Sequence, residues 1–152
     1  MSLMKLRRNR KGFTLIEMMI VIAVIAILAA VIIPRSGIVQ NTAKESGVES
    51  NARIVQGIVE NMAPRYKASE YVTKLLPAAA NKIAKAGIVN PVTNETGVET
   101  SASNTSAVVY SAGVPDSGAG VVGLQVYENG IFIYPYDKSG ELIGKGPIQV
   151  GQ

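Results

Sequence analysis

The sequence contains no cysteine, no histidine and no tryptophan. Without thiols there is no disulfide and no thiolate nucleophile, and without imidazole the commonest general base and most zinc, haem and iron–sulfur ligand sets are missing. Neither an enzyme nor a resident metal or cofactor is expected from such a composition. Aromatic residues are scarce as well, with 6 Tyr and 2 Phe, and packing accounts for them more simply than a conducting row of rings. The formal charge of +4 does not describe a basic domain, because Lys5, Arg7, Arg8, Arg10 and Lys11 all precede Gly12. Setting those 5 aside leaves 10 basic residues against 11 acidic ones, a balance of −1. Composition therefore gives no reason to expect a nucleic-acid-binding surface.

What is present is a long apolar run. Between Phe13 and Ile33 only Thr14 and Glu17 are polar, and as a helix this span is about 31 Å long, the thickness of a bilayer's hydrocarbon core. Basic residues on its N-terminal side put the leader in the cytoplasm and the rest of the chain across the membrane. Three readings compete. The run is longer than a secretory signal's apolar core, and Ala29-Ala30-Val31-Ile32-Ile33 is a poor signal-peptidase site. A plain anchor fits the length but gives no reason for a carboxylate at Glu17, and the third reading takes the junction after Gly12 as the processing site. Pro34 lacks a backbone donor and would clash with the Ala30 carbonyl, so a kink is expected there.

Taken together, the basic leader, Gly12-Phe13-Thr14-Leu15-Ile16-Glu17, the unbroken apolar helix and Pro34 resemble the N-terminal signature of the type IV pilin family, which includes the pseudopilins of type II secretion and competence systems. The resemblance implies that a prepilin peptidase cuts between Gly12 and Phe13, that the new amino group of Phe13 is methylated, and that the apolar helices bundle into a filament core, with Thr14 and Glu17 taking part in assembly. It also implies the partners: further copies of the chain, the peptidase, the pilus assembly machinery of the cytoplasmic membrane, and the membrane itself before assembly. The expected organisation is a leader (1–12), a transmembrane or filament-core helix (13–36), an amphipathic spine helix (37–63) and a globular head (64–152). A pilus displayed outside the cell is the first expectation and a pseudopilin the alternative.

Elementary chemistry gives these residues matching roles. A glycine before the cut admits close backbone approach by a peptidase. The cut exposes an α-amino group of reference pKa about 8 at Phe13. Glu17 lies about 6 Å along the helix from Phe13. Buried in a bundle, its carboxylate requires a cation, since an unpaired buried charge costs about 3–5 kcal/mol. The nearest suitable one is the Phe13 ammonium of a neighbouring copy. A simpler role for Glu17 is to complement the positive end of its own helix, worth up to about 1 kcal/mol.

Beyond Gly37 the pattern turns amphipathic. Val48, Ala52, Val55, Val59 and Met62 recur at steps of four and three, with Ile54 and Ile58 widening the stripe, and Pro64 marks the exit. Ser69 is read as the N-cap of a short helix carrying Tyr71, Val72, Leu75 and Leu76, interrupted at Pro77 and resumed from Ala78 until Gly87. Residues 90–106 read as an exposed loop. Its Asn94-Glu95-Thr96 and Asn104-Thr105-Ser106 match the glycosylation acceptor pattern, but an unmodified loop is the preferred reading.

The C-terminal third is β-prone: Ala107–Tyr110, Val121–Tyr127, a Glu128-Asn129-Gly130 turn, Ile131–Tyr134, and short strands at 141–143 and 148–150. These predict an α+β fold, a long N-terminal helix packed on a small antiparallel sheet. Gly118-Ala119-Gly120-Val121-Val122-Gly123 matches a dinucleotide fingerprint, but it precedes a strand instead of opening a helix. Asp137 and Glu141 around a turn are solvated charges more simply than a calcium site.

Overall fold

The computed structural model describes residues 12–32, 36–103, 106–127 and 130–150. It divides into two units, residues 1–38 and 39–152. The first holds α1 (Leu15–Ile32), an apolar helix none of whose residues is buried. Leucine, isoleucine, valine, methionine and alanine surround it on all sides, so it has no polar face to give to water. Its 18 residues span about 27 Å, enough to cross most of a hydrocarbon core. The next described helix is α2 (Ser36–Met62). The expected kink at Pro34 lies outside the described residues.

The second unit is α+β. In α2 the five stripe residues Val48, Ala52, Val55, Val59 and Met62 are all buried. Ile58 packs partly against the same core, whereas Ile54 is 45% exposed and does not widen the stripe. Each isoleucine lies one step of about 100° from the stripe, so what lies opposite decides which of them packs.

After α2 the chain makes 3₁₀ turns at Ala63–Arg65 and Ala68–Glu70, a π turn at Tyr71–Leu75, and α3 (Leu76–Lys85). Two local expectations change here. Ser69 lies inside the second 3₁₀ turn, and the capping carboxylate is that of Glu70, which accepts the Lys67 backbone N–H at 3.2 Å. Pro77 does not interrupt the helix. It occupies the first turn of α3, where its missing donor costs little, and the wide π turn immediately before it loosens the ladder at the carbonyls its ring would otherwise strike.

Among the described residues five strands follow: β1 (Gly97–Glu99), β2 (Ser106–Ser111), β3 (Val122–Tyr127), β4 (Gly130–Pro135) and β5 (Ile148–Val150), paired in chain order. The antiparallel sheet is present as β3–β4–β5, with Leu124 opposite Ile133 and Ile131 opposite Val150. β1 and β2 extend it in parallel, with Val108 beside Val122. This part of the sheet is therefore not a meander. The alternation of apolar residues reports which face a side chain takes and is silent on strand direction. Neither connecting loop, 100–105 or 112–121, is a tight hairpin that would have fixed it. β1 lies within the stretch expected to be a loop, and 141–143 contributes only a single bridge, Tyr136 to Leu142.

The inner face of the sheet presents Val108, Val122, Leu124, Val126, Ile131, Ile133 and Val150 to the α2 stripe and to Leu75, Leu76, Ala79 and Ile83, forming one apolar core. On the outer face, Val109, Val121 and Tyr136 form a smaller cluster. The 112–121 loop crosses that face: Pro115 accepts a hydrogen bond from the Tyr136 hydroxyl at 3.2 Å and packs so close to Gly123 that a Cβ there would sit 2.7 Å from its Cγ. Buried Gln125 accepts from the Tyr134 hydroxyl at 2.6 Å and donates to the Tyr127 hydroxyl. The glycines of the apparent dinucleotide fingerprint thus serve close packing next to a strand.

Candidate processing and assembly site at the N-terminus

The described chain begins at the junction that the sequence singled out. Gly12 is exposed, and a Cβ built on it would have nothing within 4 Å. Phe13 is 82% exposed. Both residues of the junction are thus exposed among the described residues.

The next four residues close on themselves. The Thr14 hydroxyl accepts the Glu17 backbone N–H at 3.3 Å, while Glu17 Oε2 accepts the Thr14 backbone N–H at 2.7 Å and the Thr14 hydroxyl proton at 2.8 Å. The Thr14 carbonyl takes the first helical bond, from Met18 N–H at 3.3 Å. This is a reciprocal capping box, with Thr14 as N-cap and Glu17 three residues on, and it satisfies donors that the start of a helix leaves orphaned. The spacing Thr-x-x-Glu before an apolar run is the sequence signal for it; reading Glu17 only as a complement to the helix dipole or a partner for Phe13 left Thr14 unrecognised as the N-cap.

The box settles how Glu17 is held within one chain. All three bonds are local, and both groups that donate to the carboxylate are neutral. Only Oε2 is engaged, and Oε1 makes no hydrogen bond among the described residues. None of the bonds involves Gly12 or the Phe13 nitrogen, so a cut between Gly12 and Phe13 leaves the box intact. The structure thus brings Gly12, Phe13, Thr14 and Glu17 together within six residues, and Pro34 lies outside the described residues.

An exposed glycine–phenylalanine junction, a capped apolar helix with no polar face and a single carboxylate in its first turn are what an N-terminus of the prepilin type requires. Residues 7–33 match the prokaryotic N-terminal methylation motif family, so this segment carries a prepilin-type methylation motif. Two relatives show how far the likeness extends. The type IV wide pilus major component PilA4 of Thermus thermophilus is 82% identical over 27 residues, 18% of this chain and 21% of that protein. The prepilin peptidase-dependent protein A of Clostridium perfringens is 34% identical over 76 residues, 49% of this chain and 54% of that protein. The chain thus spans about a fifth of one of these curated relatives and about half of the other. No solved structure matches it significantly.

Proposed function

We propose that the protein is a structural subunit of a type IV pilus, made as a membrane-anchored precursor and polymerised through α1. In this reading a prepilin peptidase hydrolyses the Gly12–Phe13 bond on the cytoplasmic side, the Phe13 amine is methylated, and the second unit lies on the far side of the membrane. The observation that carries the reading is α1 itself: an 18-residue apolar helix with no buried residue, headed by the methylation motif. Such a surface is compatible with lipid or with other copies of itself and with little else.

Transfer from bilayer to bundle exchanges lipid contacts for helix contacts, so apolar burial alone gives little driving force. Charge then supplies direction. A Glu17 already held through Oε2 presents Oε1 to the next subunit, and the Phe13 ammonium created by the cut is the cation it would meet. Failure to form that pair would leave a buried charge, at a cost of about 3–5 kcal/mol per subunit.

The test is the intact mass and N-terminal residue of the protein recovered from cells, together with imaging of the cell surface. A product starting at methylated Phe13 and long surface fibres containing it are expected. A product retaining Met1 would overturn the processing. Processed protein with no surface fibre, accompanied by a defect in enzyme export, would replace the pilus with a secretion pseudopilus.

A further inference from the structure

Aromatic side chains gather on the side of the sheet turned away from the core. Of the chain's 6 Tyr and 2 Phe, four stand on that outer face. Tyr127 lies opposite Gly130 in the β3–β4 pair, and residues 130, 132, 134 and 136 take one side because side chains alternate along a strand. The rings of Tyr127, Phe132, Tyr134 and Tyr136 therefore form one column. Tyr127 and Phe132 meet edge to face, with centroids 6.5 Å apart and planes at 73°, and Tyr134 stacks on Tyr136 at 6.3 Å. Tyr136 is buried at the Pro115 loop. Packing does not account for the rest, since Phe132 and Tyr134 are half-buried and Tyr127 is 38% exposed.

Polar groups cross this column at its middle. Register sets Ser111 beside Gln125, Gln125 beside Phe132 and Phe132 beside Gln149. One rung of four strands thus carries a hydroxyl, an amide, a ring and a second amide on the same face. Gln125 is used internally, its amide holding the hydroxyls of Tyr127 and Tyr134, while the Phe132 ring lies over Gly130, where a Cβ would sit 3.1 Å from it. The three accessible rings are therefore fixed in advance, which lowers the entropic cost of binding on them. The ends of the rung keep capacity to spare. Exposed Gln149 makes no side-chain hydrogen bond among the described residues, and the Ser111 hydroxyl accepts the Gly113 N–H at 3.0 Å but still has its own proton to give. Strands β2, β3, β4 and β5 contain no charged residue.

We propose that the outer face of β3 and β4 is a carbohydrate site, taking a neutral β-linked polysaccharide along the column of Tyr127, Phe132 and Tyr134. A pyranose in such a polymer carries C–H groups on its flat faces and hydroxyls around its rim. The electron-rich faces of the rings attract the C–H groups, and the Gln149 amide and Ser111 hydroxyl stand beside the central ring to bond the rim. A β-linked chain is extended and follows a straight column, whereas an α-linked chain coils away from it after one or two sugars. The bases of a nucleic acid strand also stack on rings, but such sites combine the rings with cations that track the phosphates. These strands offer no cation. The site belongs to the second unit alone and does not depend on the filament reading.

The test titrates the full chain, solubilised in a detergent without a sugar headgroup, with cellohexaose and chitohexaose. Binding is read by calorimetry and by tyrosine fluorescence, which no tryptophan obscures. Saturable binding of at least one β-linked hexamer is expected, with maltohexaose weaker and salt of little effect. Phe132→Leu keeps apolar bulk while removing the ring, and should weaken binding about tenfold. Gln149→Ala leaves every ring in place and should weaken it several-fold, so it carries the test should Phe132→Leu fail to fold. Ile54→Ala, on α2, should bind as the parent does. Failure of both β-linked hexamers to bind, or binding unchanged in Phe132→Leu and Gln149→Ala, would overturn the site. A single-stranded oligonucleotide that binds in place of the sugars and is released by salt would assign the face to nucleic acid. Loss of self-association in Phe132→Leu with no sugar binding in the parent would assign it to a second copy.

Discussion

Replacing Asn90 with alanine should destabilise the second unit more than any other single polar substitution in it. Asn90 is 1% exposed, and all of its side-chain capacity is used. Nδ2 donates to the Ser106 carbonyl at 2.9 Å and to the Ala119 carbonyl at 2.8 Å, and Oδ1 accepts the N–H groups of Val92 at 2.8 Å and Thr93 at 3.2 Å. Alanine removes four bonds, each worth about 1 kcal/mol net, and the Ser106 carbonyl is left without this donor in a buried setting. Water can enter the loops and recover part of that, so the expected loss is about 3 kcal/mol, or a fall in Tm of about 10 °C or more. The assay is thermal unfolding of the detergent-solubilised full chain followed by circular dichroism. Gly120 supplies an independent check, since a Cβ there would sit 2.4 Å from Asn90 Oδ1 at φ +71. G120A should destabilise comparably in the native background and by less when combined with N90A, because one of its clashes has then gone. A fall of less than about 2 °C for N90A would refute the reasoning, showing that these loops are held by something other than this amide.

Three further outcomes follow from the same geometry. Thr14→Val keeps the shape but removes the hydroxyl from the capping box, which should cost the start of α1 about 1 kcal/mol, read as faster amide exchange at Glu17 and Met18 in bilayers, while Thr14→Ser should be nearly silent. Leu124→Ala should destabilise by about 2–5 kcal/mol and Ile54→Ala by less than about 0.5 kcal/mol in denaturant unfolding, since Leu124 is 0% and Ile54 45% exposed. Burial raises the phenol pKa values of Tyr134 and Tyr136 above 10.0. The folded state therefore holds these protons more tightly than the unfolded chain, so the contribution of these two tyrosines to stability should be level below pH 10 and fall as pH rises from there through the raised values. Tyr134→Phe should lower stability at neutral pH by the loss of its bond to Gln125 and make the alkaline fall shallower; an unchanged alkaline slope would show that Tyr134 does not contribute.

Much of the N-terminal segment was legible because its information is local. The charge of the leader, the length of the apolar run and the order Gly12, Phe13, Thr14, Glu17 need no tertiary contact to be read. The α2 stripe was legible for a related reason, since a helix of fixed period turns sequence spacing directly into one face. Ile54 shows the limit: on a helix, an apolar residue one step from the stripe is packed or exposed according to what lies opposite, and spacing does not report that. The π turn before Pro77 was likewise hidden, because a proline in a helical run has two outcomes and the choice depends on how Leu75 and Leu76 reach the core.

The sequence by itself determined that this protein has a long apolar helix behind a basic N-terminal stretch, and that a β-rich segment follows an amphipathic one. Periodicity, charge order and hydropathy are properties of neighbours in the chain, so they survive without a fold. Only the tertiary structure decided that β1 and β2 join the sheet in parallel, that the 112–121 loop crosses its outer face, and that Asn90 binds loops 16 and 29 residues away. Those outcomes depend on which distant segments share one face of the sheet.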